Sequence, residues 1–567
     1  MRIILIAKCL VFCLLFAGVA YAGSDTDRNI DHDRPHIMSI QTEALPGTDD
    51  VDVCQQSQYR GDTMKIVAIL VEYSDEPSTF SPQDLEDMLF SRGVWPGGSL
   101  AEYFDEVSYG KLTIIGNAEG WFNLGVPYEP WDSWIWDSIA GVLDPYIDYS
   151  QYDANGDDTV DAIIFVPSVY QGGENDNEAW ILGGGWWRTG IYVPGPHDGM
   201  MLNRFCYAAE KRMVRDPDNL NNFLDSTAVN YINTFCHELA HSFTLPDLYD
   251  YDAGSDVAFR KDGDNDDFPM VDWCLMDGST DGHAFQISMP FHLCGWSKMK
   301  LNWIEPIVLE GEFNDVVIHN IETHVDSSLY LLPITPEEGE YFLLEYRNPH
   351  GSHMFGKYGG DLSKYFYPDL DFGPELLDRG LLITHVHDSL FEGYCGYVNN
   401  GLPDYPHYMV AAVDAGYNPD KDYTYNPEGR LTDSAQWWYP YQARKGALFS
   451  DDVEGQSEFG PETVPNSDGY FGPSDIYVRV DSIVGDRLYA YVNTNYSEPS
   501  YVCGDANGDG QVDQLDIAYL IDYLHKDGPA PDPMEAGDAN GDGEVDRLDA
   551  KYLIDFLHRG GPPPVCP

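Results

Sequence analysis

From Met64 the chain reads KIVAILVEYSD, a short and nearly continuous apolar run of the kind that forms a strand covered on both faces. The spacing predicts helices over Pro82–Phe90 and around Ser99–Val107, and DAIIFV at Asp161–Val166 reads as a second central strand. Strands and helices alternate in this way to about Trp303, which predicts an α/β region over 62–305. Beyond Ile304 the pattern changes to DVVIHNI, SLYLLPI, YFLLEY, GLLITHVH, DIYVRV and RLYAYV, separated by Gly, Pro, Asn and Asp. Such runs predict a mostly β region over 306–496. YSEPSY then reads as a linker. The remainder, 501–567, holds an internal repeat: GDANGDGQVDQLDIAYLIDYLHKDG from Gly504 returns as GDANGDGEVDRLDAKYLIDFLHRGG from Gly537.

The N-terminal residues point to a compartment. Arg2 and Lys8 bracket a basic stretch, an apolar run follows to about Val19, and Ala20-Tyr21-Ala22 is a small-x-small cleavage site, so residues 1–22 read as a secretory signal peptide. Residues 23–61 are polar and aperiodic and read as a leader or propeptide. No later run is long and apolar enough to span a bilayer, which predicts no membrane insertion of the mature form. Eight cysteines follow the signal: Cys54, Cys206, Cys236, Cys274, Cys294, Cys395, Cys503 and Cys566. An even number in an oxidising compartment reads first as disulfides, and Cys503 with Cys566 would close one short segment.

Lys and Arg number 31 against 95 Asp and Glu, a formal charge of −64, which makes nucleic acid and anionic lipid poor partners. At 43% hydrophobic and 14% aromatic the chain is nevertheless globular, so the acidic groups lie on folded surfaces or around cations. Salt adaptation and calcium loading are the two open causes of that excess, and the distribution of the Asp residues favours at least some calcium.

Within STAVNYINTFCHELAHSF, Val229, Ile232, Phe235, Leu239 and Phe243 recur at helical steps, which predicts an amphipathic helix. The helix would place His237 and His241 one turn apart on one face, where both imidazoles reach a single zinc ion. Glu238 then stands where it can take a proton from a water whose pKa zinc has lowered towards 7. A third ligand is needed, and Asp247, six residues beyond His241, is placed to supply it if the chain turns back after Pro246. Met276, in the turn WCLMDGS, would lie under the site.

The repeats carry a second chemistry. Asp505, Asn507, Asp509, Asp513 and Asp516 occupy positions 1, 3, 5, 9 and 12 of a loop whose position 7, Gln511, offers its carbonyl. Asp538, Asn540, Asp542, Glu544, Asp546 and Asp549 repeat the arrangement. Oxygen ligands so spaced wrap a calcium ion. Asp153, Asn155, Asp157 and Asp161 form a similar loop in the α/β region without the position 12 carboxylate, a further candidate calcium site. His385 and His387 alternate on one strand and read as structural.

The segments HELAHSFTLPDLYD (His237–Asp250), SLAEYFDEVSYGKLTIIGNAEGWF (Ser99–Phe122), DANGDDTVDAIIFV (Asp153–Val166), WCLMDGS and FHLCGWSKMKLNWI (Phe291–Ile304) resemble the immune inhibitor A-like secreted metallopeptidases, and matches at YFLLEYR, GLLITHVH and VPNS extend the resemblance to about residue 467. It implies an α/β (α+β) metzincin-like zinc peptidase domain with a mixed sheet and an active-site helix, followed by the mostly β region. Protein or peptide substrates would be cut, with His237, His241 and Asp247 as zinc ligands, Glu238 as base and Met276 as structural methionine. One position departs from the family: Thr244 stands where the pattern has Gly, at a helix end where a positive φ is usual. That departure leaves Asp250 as an alternative third ligand, and Tyr249 could donate a hydrogen bond to a developing oxyanion or simply pack. The C-terminal pair resembles a type I dockerin, a small all-α calcium-binding module, which implies a cohesin-like partner and a secreted protein with attachment to a cell surface. The competing reading is a catalytically silent surface or scaffold protein that binds partners through the same module.

Overall fold

The computed structural model describes residues 61–95, 98–125, 127–128, 139–171, 181–182, 186–189, 197–216, 219–230, 232–248, 270, 273–277, 290–335, 339–348, 379–388, 408–413, 415, 448–451, 456–463, 465–496, 501–526 and 528–565. The signal peptide, leader residues 23–60, Tyr249, Asp250, Cys54, Cys395 and Cys566 lie outside these residues.

The apolar run at Met64 forms β1 (Thr63–Glu72). Met64, Ile66, Ala68 and Leu70 enter one apolar cluster, while Val67, Ile69 and Val71 enter another on the opposite face, which is why the strand carries almost no polar residue. Two helices follow, α1 (Pro82–Phe90) and α2 (Leu100–Val107), each started by a capping box, Ser81 with Asp84 and Ser99 with Glu102. The strands after them are β2 (Thr113–Asn123), β3 (Ala162–Pro167), β4 (Tyr170–Gln171), β5 (Ile181–Leu182), β6 (Trp186–Thr189), β7 (Arg204–Tyr207), β8 (Lys211–Asp216) and β9 (Asn219–Val229). The first sheet runs β2-β1-β3-β7-β6 and is parallel except for the edge strand β6, so it is mixed. A second sheet runs β5-β4-β8-β9.

The helix carrying the HELAH motif differs from the sequence expectation at its start. Ser226–Val229 belongs to β9, where Val229 pairs with Lys211, and the helix α3 covers only Ile232–Ala240. Val229 is spaced as a helical residue but is held in the ladder, an example of tertiary pairing overriding local periodicity. His241–Phe243 continue as a 3-10 turn.

After α4 (Gly295–Lys300) the chain becomes β, as its alternation predicts. The strands are β10 (Ile307–Val308), β11 (Glu312–His319), β12 (Leu329–Thr335), β13 (Glu340–Arg347), β14 (Gly380–His387), β15 (Val410–Ala412), β16 (Glu458–Phe459), β17 (Tyr477–Val484) and β18 (Arg487–Asn493). They form two sheets, β10-β12-β13-β14-β15 and β11-β18-β17-β16. Every residue of β13 and β14 is buried. One face of this pair, with Tyr341, Leu343, Leu382 and Val386, completes the cluster that holds α1 to α4. The other face, with Phe342, Leu344, Leu381 and Ile383, packs on Ile318, Val478, Leu488 and Ala490. The α/β and β stretches therefore share one core, and the chain divides instead at the linker, into Met1–Thr494 and Asn495–Pro567.

In the second unit α5 (Gln514–Lys526) and α6 (Arg547–Arg559) each follow one acidic loop. Ala506, Ile517 and Leu520 of the first repeat bury against Ala539, Ala550 and Leu553 of the second, so the core is made jointly. Gly504 and Gly537 mark the symmetry: a Cβ on the first would strike Pro564 and Leu553, and on the second Pro531 and Leu520. Among the described residues no helix is long and apolar enough to cross a membrane.

Candidate metal centre

His237 sits on α3 and His241 follows directly on its C-terminal end, so one helical turn sets their rings edge to face, 5.0 Å apart at 86°. Thr244 then takes φ 66° and ψ 23°, the left-handed conformation that glycine would adopt more cheaply, and its N–H donates to the His241 carbonyl. The chain reverses there and brings Asp247 back: its Oδ1 lies 2.9 Å from His237 Nε2 and 3.4 Å from His241 Nε2. Thr244 thus holds the turn at the cost of backbone strain. One ligand atom from each of the three residues lies within 4.8 Å of the others.

The other ring nitrogens are committed. His237 Nδ1 donates to the Leu275 carbonyl at 3.0 Å and His241 Nδ1 to the Leu245 carbonyl at 2.7 Å. With both Nδ1 hydrogens used, two Nε2 lone pairs and a carboxylate oxygen converge, and a positive charge between them is required. Where no cation is bound, a proton shared between His237 Nε2 and Asp247 Oδ1 meets that demand. Burial opposes a charged His237, yet the Asp247 carboxylate outweighs it and raises that imidazole to about 9; His241 is raised in the same way. Burial likewise opposes a charged Asp247, and the two imidazoles overcome it and hold the carboxyl well below the usual range.

Glu238 is buried beside the first imidazole, at 4% exposure. Met276 is fully buried in the turn after Trp273, as the sequence places it, and the turn acts through its backbone. Leu275 gives its carbonyl to His237, and the Met276 carbonyl accepts the Leu248 N–H at 2.8 Å, tying down the segment that carries Asp247.

Behind the turn lies a buried charge network with no motif to announce it. Arg347, at the end of β13, binds Glu345 Oε1 at 2.7 Å and Glu322 Oε1 at 3.4 Å. It also donates to the carbonyls of Trp273 (3.1 Å) and Leu293 (3.4 Å). Glu345 in turn accepts the Gly295 N–H. Lys298, fully buried, donates to the Tyr109 hydroxyl and the Ile321 carbonyl. The one signal of this network in the sequence is an arginine that ends an apolar strand.

The three acidic loops share one hydrogen-bond pattern. In the first repeat Asp505 accepts from Gly508, Asp509 and Gly510, Asn507 from Asp509, and Asp509 from Gln511. Asp516 closes the loop by accepting from Asn507 and Asp513. Asp538, Asn540, Asp542 and Asp549 do the same in the second, with Asp546 capping α6 and Glu544 donating its N–H to Asp542. Burial first, and then the neighbouring carboxylates, push Asp516 and Asp549 up.

In the α/β region Asp153 accepts from Gly156, Asp157 and Asp158, Asn155 from Asp157, and Asp157 from Thr159. Asp161 takes the closing role, accepting from Ala154 at 3.1 Å and from Lys65 at 2.7 Å. Its other oxygen is buried with no hydrogen-bond partner, and burial raises this carboxyl to about 7. His385 is held by Glu340 at 2.9 Å and stacked on Tyr470, in keeping with a structural role.

Cys206, Cys236, Cys274 and Cys294 are buried and carry no disulfide in the structure, where the sequence reading expected every mature cysteine to be paired. Cys503 is disulfide-bonded. No curated protein matches the chain. Residues 503–558 match the family model of the dockerin type I domain, and the two loops with their following helices are such a domain.

Proposed function

We propose that the chain is a secreted zinc endopeptidase of the metzincin-like, immune inhibitor A-like kind, which carries its dockerin as an attachment module. The observation that carries this reading is the convergence of His237 Nε2, His241 Nε2 and Asp247 Oδ1 within 4.8 Å, with both Nδ1 atoms anchored on backbone carbonyls. Two imidazoles and one carboxylate are a donor set suited to catalytic zinc, which keeps a position open. Bound there, zinc supplies a Lewis acid that polarises a peptide carbonyl and makes water a nucleophile at neutral pH.

The chain's own residues do the rest. Glu238 accepts the proton of the attacking water and returns it to the departing amine. The Leu275 and Leu245 carbonyls fix the orientation of the imidazoles, as hydrogen-bond acceptors behind metal-binding histidines commonly do. Asp247 balances the charge at the centre, and its position is secured through Leu248 and the Met276 carbonyl.

Dockerin domains bind calcium and take cohesin domains as partners. In this chain Asp505, Asn507, Asp509, Gln511, Asp513 and Asp516, with their equivalents from Asp538 to Asp549, would hold two calcium ions. Asp153, Asn155, Asp157 and Asp161 would hold another, with the unpartnered Asp161 oxygen supplying a ligand. The module suits a protein displayed outside the cell on a cohesin-bearing surface.

Metal analysis of the mature protein together with casein hydrolysis tests the reading. About one zinc per chain and hydrolysis abolished by Glu238→Gln are expected. Zinc-loaded protein without hydrolysis would leave the silent scaffold as the better account.

A further inference from the structure

Cys274 and Cys294 are both fully buried. The Cys294 N–H donates to the Cys274 sulfur at 3.4 Å, and the Ser297 hydroxyl lies 3.6 Å from one sulfur and 3.4 Å from the other. The backbone on either side is clamped. Arg347 grips the carbonyls of Trp273 and Leu293, the residues immediately preceding the two cysteines, and Glu345 holds the N–H of Gly295, immediately after the second. One serine hydroxyl thus reaches both sulfurs, and the two segments that carry them are fixed by the same charged pair.

We propose that Cys274 and Cys294, free thiols in this structure, are oxidised to a disulfide in the mature protein, cross-linking the Met276 turn to the start of α4. The cross-link does not depend on the zinc reading. Its structural consequence does bear on that site, because Cys274 directly precedes Leu275, whose carbonyl orients His237.

The chemistry is a two-electron exchange with a low-molecular-mass disulfide, the oxidant class of secretory compartments. The Cys274 thiolate attacks one sulfur of that disulfide, making a mixed disulfide and expelling one thiolate. The Cys294 thiolate then attacks the Cys274 sulfur and expels the second. One protein disulfide forms, one small disulfide becomes two thiols, and the two protons of the cysteines pass to the leaving groups. Because neither sulfur is exposed, the exchange takes place while the chain folds, before the turn is covered.

The test uses the full chain as secreted, with no substitution that could disturb folding. The protein is unfolded in denaturant at low pH without reductant, alkylated, digested and mapped by mass spectrometry. The expected result is a linked peptide pair containing Cys274 and Cys294, two hydrogens lighter than the separate thiol peptides. Neither residue should carry the alkyl group until reductant is added, after which both should. Full alkylation of both cysteines before reduction overturns the proposal, as does linkage of either one to a different cysteine.

Discussion

Thr244 donates its N–H to the carbonyl of His241 at 2.9 Å while standing at φ 66°, so a β-branched residue occupies a left-handed turn between two candidate zinc ligands. The turn is what returns Asp247 to the imidazoles. Since Thr is disfavoured there by its Cβ, the surrounding contacts must hold it in place, and the site carries the cost.

Thr244→Gly should therefore stabilise the first unit. The left-handed conformation costs an L-residue about 1–2 kcal/mol, and glycine gives back roughly 0.5–1 kcal/mol through its freer unfolded chain. A net gain of about 1 kcal/mol or less is expected in chemical denaturation, with metal content unchanged. A loss of stability would mean that the threonine side chain makes a compensating contact.

Glu238→Gln should keep the fold and the metal and lose turnover by roughly 10²–10⁴-fold, the usual contribution of a positioned base. Asp247→Ala should lose the metal, because two imidazoles alone leave the centre short of a ligand. Asp250→Ala, at the alternative ligand position, should retain it. Metal analysis of the three purified variants separates the roles, and zinc retained by Asp247→Ala but lost by Asp250→Ala would transfer the ligand role.

The HELAH spacing and the six-residue step to Asp247 make the three converging side chains legible in the sequence, since both rest on local geometry. The central strands are legible because a strand buried on two faces must be apolar throughout. The start of α3 is not, because Val229 satisfies a helical period while its backbone pairs with Lys211 in β8. Nor can a sequence reveal the Leu275 and Leu245 carbonyls behind the imidazoles, since every residue has a carbonyl and only the fold selects which ones serve. Arg347 belongs with these: its importance lies in Trp273 and Leu293, more than fifty residues away in the chain.

Arg347→Met should destabilise the first unit by about 3–5 kcal/mol, because Glu345 and Glu322 are left as buried, uncompensated carboxylates. Arg347→Lys should rescue little. An ammonium cannot reach two carboxylates and two carbonyls in the planar geometry the guanidinium provides. Denaturation midpoints of the two variants measure this, and a Lys variant as stable as wild type would show that charge alone suffices.

The final prediction concerns residues 501–567. Asp516 and Asp549 are fully buried and close their loops, and each faces further carboxylates, Asp505 with Asp509 and Asp538 with Asp542. Without a cation this repulsion opposes folding, and the jointly made core of short helices is too small to overcome it. The isolated segment should thus be largely unfolded in chelator and helical in calcium, followed by circular dichroism during a calorimetric titration. Gly504 of the first repeat packs against Leu553 of the second and Gly537 of the second against Leu520 of the first, so each repeat completes the other. Asp505→Ala in the first loop should accordingly weaken the helix of the second repeat as well as its own. Equal helicity with and without calcium would sink the coupling, and an Asp505→Ala segment that keeps half its signal with an unchanged second site would show that the repeats fold separately.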